Sequence, residues 1–451
     1  MSCMAWQSRI RVFSSKTARN DGRYVLYWMQ QSQRTRYNHA LEYATEEANR
    51  LGRPLMVAFC VAAYPQANVR HYAFMLQGID EVRRELEKRH ACFITRIGQP
   101  SDLISELAKP AALLITDRGY TPIQSRWRQD VCKNCDVPVI EVESDVVVPV
   151  DIASDKREYS AATLRRKITP LIDEYLLLPR QRSLKIAADA INEKSDDISL
   201  KNVTKKLHLD ASVSPVDGFC GGYSQAEKRL TEFVSKKLRG YDELRNDPTK
   251  NFTSGLSAYM HFGQISPIEI ALAVKTADAP KPDRDAFLEQ LTVRRELAMN
   301  FLRFCQKADD YESLPGWARA TLESHDKDRK KTYTLRQLEQ ASTVDEYWNA
   351  AQRQLVRTGT IHNYMRMYWG KKILEWAPSA KLGFEWCVHL NDRYALDGRD
   401  ANSYAGIAWC FGNHDRPWSE RPIYGNVRCM TAGGLERKFD IRSYAKMWSE
   451  P

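Results

Sequence analysis

Apolar positions follow two different patterns along this chain. "RYVLYWM" (Arg23–Met29), "PLMVAFCVA" (Pro54–Ala62), "ACFITRIG" (Ala91–Gly98), "AALLITD" (Ala111–Asp117) and "VPVIEVE" (Val137–Glu143) are short, nearly continuous apolar runs rich in β-formers. Between them, stretches such as Tyr37–Gly52 and Tyr72–His90 repeat their apolar residues at helical spacing. Strand and helix alternating at short intervals predict a parallel sheet with helices on both faces. Such sheets bind ligands beyond the C-terminal ends of their strands. After about Asp151 the texture changes. Asn192–Lys206 is polar, with few aromatics, and is expected to be linker or mobile surface. From Tyr223 onward long helical patterns dominate, strand signals stop and no internal repeat is visible. The expectation is an α/β domain over 21–150, a linker over 151–222 and an all-α domain over 223–451, with a basic tail over 1–20.

Composition narrows the function classes. With 67 Lys and Arg against 57 Asp and Glu, the chain carries a formal charge of +10, which suits a polyanionic partner. No apolar run approaches the roughly 18 residues of a membrane span. The first 20 residues contain no acid and lack an apolar leader core, so a frayed basic tail in a cytoplasmic protein is the simplest account. Among ten cysteines, Cys132 and Cys135 form the single C-x-x-C, which gives no metal-site spacing. No metal is expected, and reduced thiols fit better than disulfides. Neither G-x-G-x-x-G nor a P-loop follows the first strand.

The helical half concentrates chemistry. "NFTSGLSAYMHFGQIS" (Asn251–Ser266) sets three hydroxyl residues around a glycine before an apolar run, suited to a phosphate or to a plain helix cap. "FLEQLTVRREL" (Phe287–Leu297) puts Glu289 and Arg294 among apolar residues, where an internal ion pair is the ordinary use. In "TIHNYMRMYWGKKILEW" (Thr360–Trp376), Asn363, Arg366, Met367 and Gly370 share one helical face. Trp369 and Trp376 stand two turns apart, about 10 Å in rise, a spacing that can be an electron-hopping distance but by itself favours core packing. "LNDRYALDGRDANSYAGIAWCFGNHDRPW" (Leu390–Trp418) mixes turn-forming Asp, Asn and Gly with Trp409, Phe411 and Trp418. Aromatics beside arginines are the composition for stacking bases and holding phosphates. Eight of eleven tryptophans lie from Trp317 onward.

Taken together, "YVLYWMQQSQRTRYNHAL", "GLSAYMHFGQIS", "VRREL", "HNYMRMYWGKKILEW" and "LNDRYALDGRDANSYAGIAW" resemble, in order, the class II cyclobutane pyrimidine dimer photolyases of the photolyase–cryptochrome superfamily. The resemblance runs from about Arg23 to the C-terminus. It implies a Rossmann-like parallel-sheet antenna domain followed by a helical domain holding FAD, active as FADH⁻, in a U-shape. It implies an enzyme, a deoxyribodipyrimidine photo-lyase, whose reduced flavin donates an electron to the dimer under near-ultraviolet or blue light. The ring then splits and the electron returns. The partner implied is ultraviolet-damaged double-stranded DNA, met by a monomer, with the lesion flipped out of the duplex. An antenna such as 8-hydroxy-deazaflavin or a folate is common in the family.

The carry-over is made residue by residue. Tyr241, Thr253, Ser254, Leu256 and Ser257 resemble the phosphate and ribose contacts. Arg294, Asn363, Arg366 and Asp397 resemble the polar shell of the isoalloxazine, with Arg366 and Asp397 paired at its edge. Asn391 or, second, Asn402 matches the Asn near flavin N5. Glu289 and Met367 match lesion contacts, and Trp409 the stacking wall. Trp369, Trp376 and Trp348 resemble the class II photoreduction route. Val293 stands where other classes carry a second stacking Trp, for which Trp317 is the candidate. Arg416, Arg428, Arg437 and Lys438 suit DNA-backbone contacts. The alternative is a cryptochrome-like photoreceptor without repair activity. A light-independent nucleic-acid-binding protein is the third reading.

Overall fold

Alternation of side chains through the pleat divides the expected strands between two cores. Val25, Tyr27 and Met29 pack to one side of the sheet with Leu55, Val57 and Phe59, whereas Tyr24, Leu26 and Trp28 pack to the other with Met56 and Ala58. Burial on both faces is what the nearly continuous apolar runs require. In this computed structural model, which describes residues 3–14 and 16–449, β1 spans Ile10–Val12, β2 Tyr24–Trp28, β3 Leu55–Val61, β4 Cys92–Ile97, β5 Ala111–Asp117 and β6 Val139–Val142. They form one six-stranded sheet in the order β1-β6-β5-β2-β3-β4, parallel except where β1 pairs antiparallel with β6. Helices His39–Leu51 and Val69–Lys88 cover one face, and Pro100–Ala108 with Pro122–Asn134 the other. Asn38 caps the first of these by accepting from Leu41 N, and Gly52 ends it at φ 62°.

Two expectations need correction. The N-terminal segment read as a frayed tail supplies edge strand β1, with helix Cys3–Gln7 before it; Met1, Ser2 and Ser15 lie outside the described residues. The polar stretch read as linker or mobile surface is docked on edge strand β4. Asp196 N donates to Thr95 O, Ile97 N to an Asp196 carboxylate oxygen and Thr95 N to Ser195 Oγ. Helix Leu200–Leu207 follows and buries Val203 in the core. Polar residues were the useful choice here, because an edge strand leaves backbone groups that side chains can satisfy.

The chain folds as two units, each discontinuous in sequence. The sheet unit comprises Met1–Asp155, Lys167–Thr231 and Gly255–Thr276; the second comprises Lys156–Arg166, Glu232–Ser254 and Ala277–Pro451. Residues 151–222 were expected as a linker and 223 as the start of the helical domain, but much of 151–276 belongs with the sheet. Gln264 shows why: its Oε1 accepts from Gly222 N and its Nε2 donates to Phe74 O. The second unit is helical. Asn363–Trp376 lies against Glu346–Thr358, Ala380–Tyr394 and Ala401–Cys410.

Beyond the C-terminal strand ends, Arg34 is fully buried. It donates to Asp145 Oδ1 (2.7 Å), Gly263 O (2.9 Å) and Ser144 O (2.8 Å). Arg34→Met leaves Asp145 without its buried countercharge, and a loss of about 3–5 kcal/mol is expected. Chemical denaturation of the full chain, followed by circular dichroism, measures it.

Candidate functional site

Helix Asn363–Trp376 organises the second unit's polar groups. His362 caps it by accepting from Tyr364 N. At Gly370 a Cβ would stand 2.8 Å from Cys410 Sγ, so glycine is what lets helix Ala401–Cys410 approach. One turn earlier, Arg366 Nη2 donates to Asp397 Oδ1 at 2.8 Å, with both side chains largely buried. The turn carrying Asp397 closes tightly, because a Cβ at Gly398 would meet Asn391 O at 2.8 Å. Asn391 is buried and donates to Ser403 Oγ (2.5 Å). Asn402 is exposed and hydrogen-bonds the Asp400 carboxylate, which caps its helix. Asn363 is exposed, whereas Met367 is half-buried, its methyl within 3.7 Å of a Cβ placed on Gly406.

Glu289 and Arg294 bracket a π-helical turn, an irregularity that accumulates at functional sites because it re-aims side chains. Glu289 is held by two guanidinium nitrogens of Arg165, Nη2 at 2.5 Å and Nε at 3.0 Å, and Arg294 Nε lies 3.4 Å away. Val293, in the same turn, is buried. Tyr241 packs between Phe233 and Phe287 (5.6 and 5.3 Å), with the Arg245 guanidinium 5.9 Å from its ring. His362 Nε2 contacts Arg245 O at 3.1 Å, which ties this corner to the start of helix Asn363–Trp376. Arg245 Nε is buried and unpartnered. An unpaired guanidinium N–H beside Tyr241, with the half-exposed hydroxyls of Thr253 and Ser254 in the same unit, is a donor set that fits a dinucleotide pyrophosphate. Leu256 and Ser257 fall in the sheet unit, where they begin helix Ser257–His261.

Trp348, Trp369 and Trp376 are all buried. Trp348 is the middle member, parallel to Trp369 at 6.5 Å and edge-on to Trp376 at 5.6 Å. Their order in space is therefore 369–348–376. Trp369 Nε1 donates to Gln352 Oε1 (2.8 Å), and Trp348 Nε1 to Trp369 O (3.0 Å). Trp376 lines an open cavity of about 690 Å³ together with Lys330, Lys331, Tyr347, Lys372 and Glu436.

A second aromatic group mixes rings with cations. Trp409 has Lys371 Nζ at 5.1 Å and the Arg428 guanidinium at 5.8 Å from its ring centroid. Arg428 and Arg416 then stack on exposed Trp418 at 4.7 and 5.3 Å. Trp317 sits by Gly412, whose φ of 101° and 3.2 Å clearance from that indole favour glycine. Lys438 donates to Tyr364 OH (2.9 Å), and Arg437 is exposed. Three residues went unread in the sequence: Arg165, Gln352 and Lys371. The first two are remote along the chain from the side chains they hold. Lys371 has an identical neighbour, Lys372, and nothing in the local sequence separates the two.

Comparisons with known proteins agree with one another. A family profile described as DNA photolyase matches residues 25–182. The chain is 44% identical over 445 residues to a deoxyribodipyrimidine photo-lyase of Methanothermobacter thermautotrophicus, covering 98% of each chain. It is 36% identical to that of Potorous tridactylus, covering 98% of this chain and 84% of the relative. Its fold is similar to a bacterial class III photolyase from Agrobacterium tumefaciens, with a TM-score of 0.73 at 20% identity, covering 96% of this chain and 87% of the other.

His414, in the turn after Trp409, gives this region a signature in acid. Its Nε2 is buried without a partner and its ring meets Phe301 at 5.6 Å. Burial first, and then the charges of Arg157 and Arg294, push its pKa from 6.5 to about 3. The unfolded chain takes up this proton at a higher pH than the folded one. The stability is therefore complete above pH 6.5 and is lost as pH falls toward 3. His414→Gln is expected to flatten that slope, which unfolding midpoints at about pH 7 and about pH 4.5 would reveal.

Proposed function

The chain belongs to the DNA photolyase family, and on that premise we propose that it repairs cyclobutane pyrimidine dimers in DNA by light-driven electron transfer, as a class II enzyme acting as a monomer on ultraviolet-damaged duplex. One observation carries the reading: a single helix, Asn363–Trp376, bears both Arg366, paired with Asp397, and two members of a buried tryptophan series, Trp369 and Trp376. When bound as FADH⁻, the flavin supplies the photoexcited electron that opens the cyclobutane ring. Arg366 and Asp397 hold the edge of its ring system, joined by Asn363 and Arg294. Asn391 is assigned to flavin N5 ahead of Asn402, because a buried amide is fixed by its neighbours and an exposed capping amide is not. Tyr241, Arg245, Thr253 and Ser254 take the phosphates and ribose. An antenna pigment of the 8-hydroxy-deazaflavin or folate kind belongs to the same reading.

On the lesion side, Trp409 is the stacking surface, and Glu289 with Met367 makes the nearer contacts. Arg165 fixes Glu289 by two parallel hydrogen bonds, so this carboxylate is oriented before a ligand arrives. Arg416 and Arg428, stacked on Trp418, offer an exposed cationic edge for DNA phosphates, and Trp317, Arg437 and Lys438 are assigned as further DNA contacts.

Purified protein is expected to show flavin absorbance and to remove dimers from irradiated DNA only under illumination. Bound, fully reduced flavin without dimer loss would mean a photoreceptor, and flavin-free protein that cannot be reconstituted would mean a light-independent DNA binder. Trp369→Phe is expected to block light-driven reduction of oxidised flavin while leaving repair intact after chemical reduction; transient absorption and a repair assay read the two separately. Trp409→Ala is expected to weaken lesion binding by about 1–3 kcal/mol, the usual loss for one stacked base, measured by titration with dimer-containing DNA.

A further inference from the structure

Lys371 is the one lysine among the largest fully buried side chains of the described residues. Its ammonium donates to Cys410 O at 2.6 Å, and no carboxylate of the described residues pairs with it within 4.0 Å. It lies 5.1 Å from the centroid of the Trp409 ring. We propose that Lys371 directs electron flow: its uncompensated charge withholds Trp409 from one-electron oxidation and so reserves Trp369, Trp348 and Trp376 as the route to the flavin.

The argument is electrostatic. When an indole gives one electron to photoexcited oxidised flavin, the ring is left with a positive hole, and the next donor refills it. A fixed cation close by in a poorly polarisable interior opposes that hole by direct repulsion. Trp369 and Trp348 meet the opposite environment. Each donates its indole N–H to a neutral carbonyl oxygen, Gln352 Oε1 and Trp369 O, and those dipoles favour a ring that turns positive. Trp376 does carry a lysine over its ring, Lys372 at 4.7 Å. That lysine is bound to both oxygens of Glu375 at 2.8 Å, so the pair is close to neutral as seen by the ring. Trp409 alone among the four faces a buried cation with no carboxylate in ion-pair contact, Asp415 acting on it only from a greater distance. Burial lowers the Lys371 pKa from 10.5 to about 8, which still leaves it charged at neutral pH. Arg428 adds a second cation at 5.8 Å, weakened by its exposure to solvent.

The inference rests on the flavin-dependent reading above, and the test keeps the two apart. Oxidised flavoprotein is compared as Trp369→Phe, as Trp369→Phe with Lys371→Met, and as the latter with Trp409→Phe added. Transient absorption of the indole radical and the flavin fluorescence lifetime are followed in each. Trp369→Phe is expected to remove the radical signal. Neutralising Lys371 should restore it at least tenfold with a shortened flavin lifetime, and Trp409→Phe should abolish it again. Lys371→Arg, which keeps the charge, should leave the signal absent. Lys371→Gln is a second neutral variant should the methionine fail to fold. A neutral variant that retains flavin and the parental unfolding midpoint, yet shows no returning signal, overturns the proposal while the function reading stands. A parent protein without flavin absorbance overturns both.

Discussion

The second unit depends on the close packing of helix Asn363–Trp376 against helix Ala401–Cys410, where a Cβ at Gly370 would stand 2.8 Å from Cys410 Sγ. With Gly370 set against Cys410, the longer helix is flanked by three neighbours, and its residues Arg366, Trp369 and Lys371 are buried or largely buried. Each must then find a partner inside. Arg366 finds Asp397, Lys371 finds a backbone carbonyl, and Trp369 finds Gln352. A looser crossing would admit water, and those specific pairings would lose their necessity.

The same enclosure separates two sets of tryptophans by their electrical surroundings. Trp348 and Trp369 are dry, parallel and paired with neutral acceptors. Trp409 and Trp418 are interleaved with lysine and arginine. Indole rings are chemically identical in the two sets. What differs is the charge within about 6 Å, the range over which a cation acts on a ring face. A protein that must both move electrons and hold a polyanion gains from keeping these environments distinct. Glu289 follows a related rule, since it stands in a π-helical turn and is fixed by an arginine from a separate stretch of chain.

How much was legible beforehand varies with the range of the interaction. The five parallel strands could be read because double-sided burial writes an almost unbroken apolar run, and that signal is local. The Asn192–Lys206 segment misled because polarity is shared by mobile loops and by chain that satisfies a sheet edge; only the Asp196–Thr95 pairing distinguishes them. Strand β1 misled in the same manner, as three residues beside a basic stretch give no periodicity to detect. Among the candidate residues, Arg366 and Asp397 could be paired in advance through the family resemblance. Arg165 and Gln352 could not, because nothing near them in the chain reports the groups they bind.

The sequence by itself determined the two kinds of architecture, the order of the five parallel strands along the chain and the family, since each is carried by local pattern or by motifs in series. It also supplied the tryptophans, arginines and carboxylates from which a flavin and DNA site can be assembled. Tertiary structure alone decided that Trp348 stands between Trp369 and Trp376, that Arg165 clamps Glu289, and that one of two adjacent lysines is buried without a countercharge while the next is neutralised by Glu375. The physical reason is the same in each case. A ring's neighbours and a charge's partner are set by which helices cross and how closely, and that geometry has no counterpart in the linear spacing of residues.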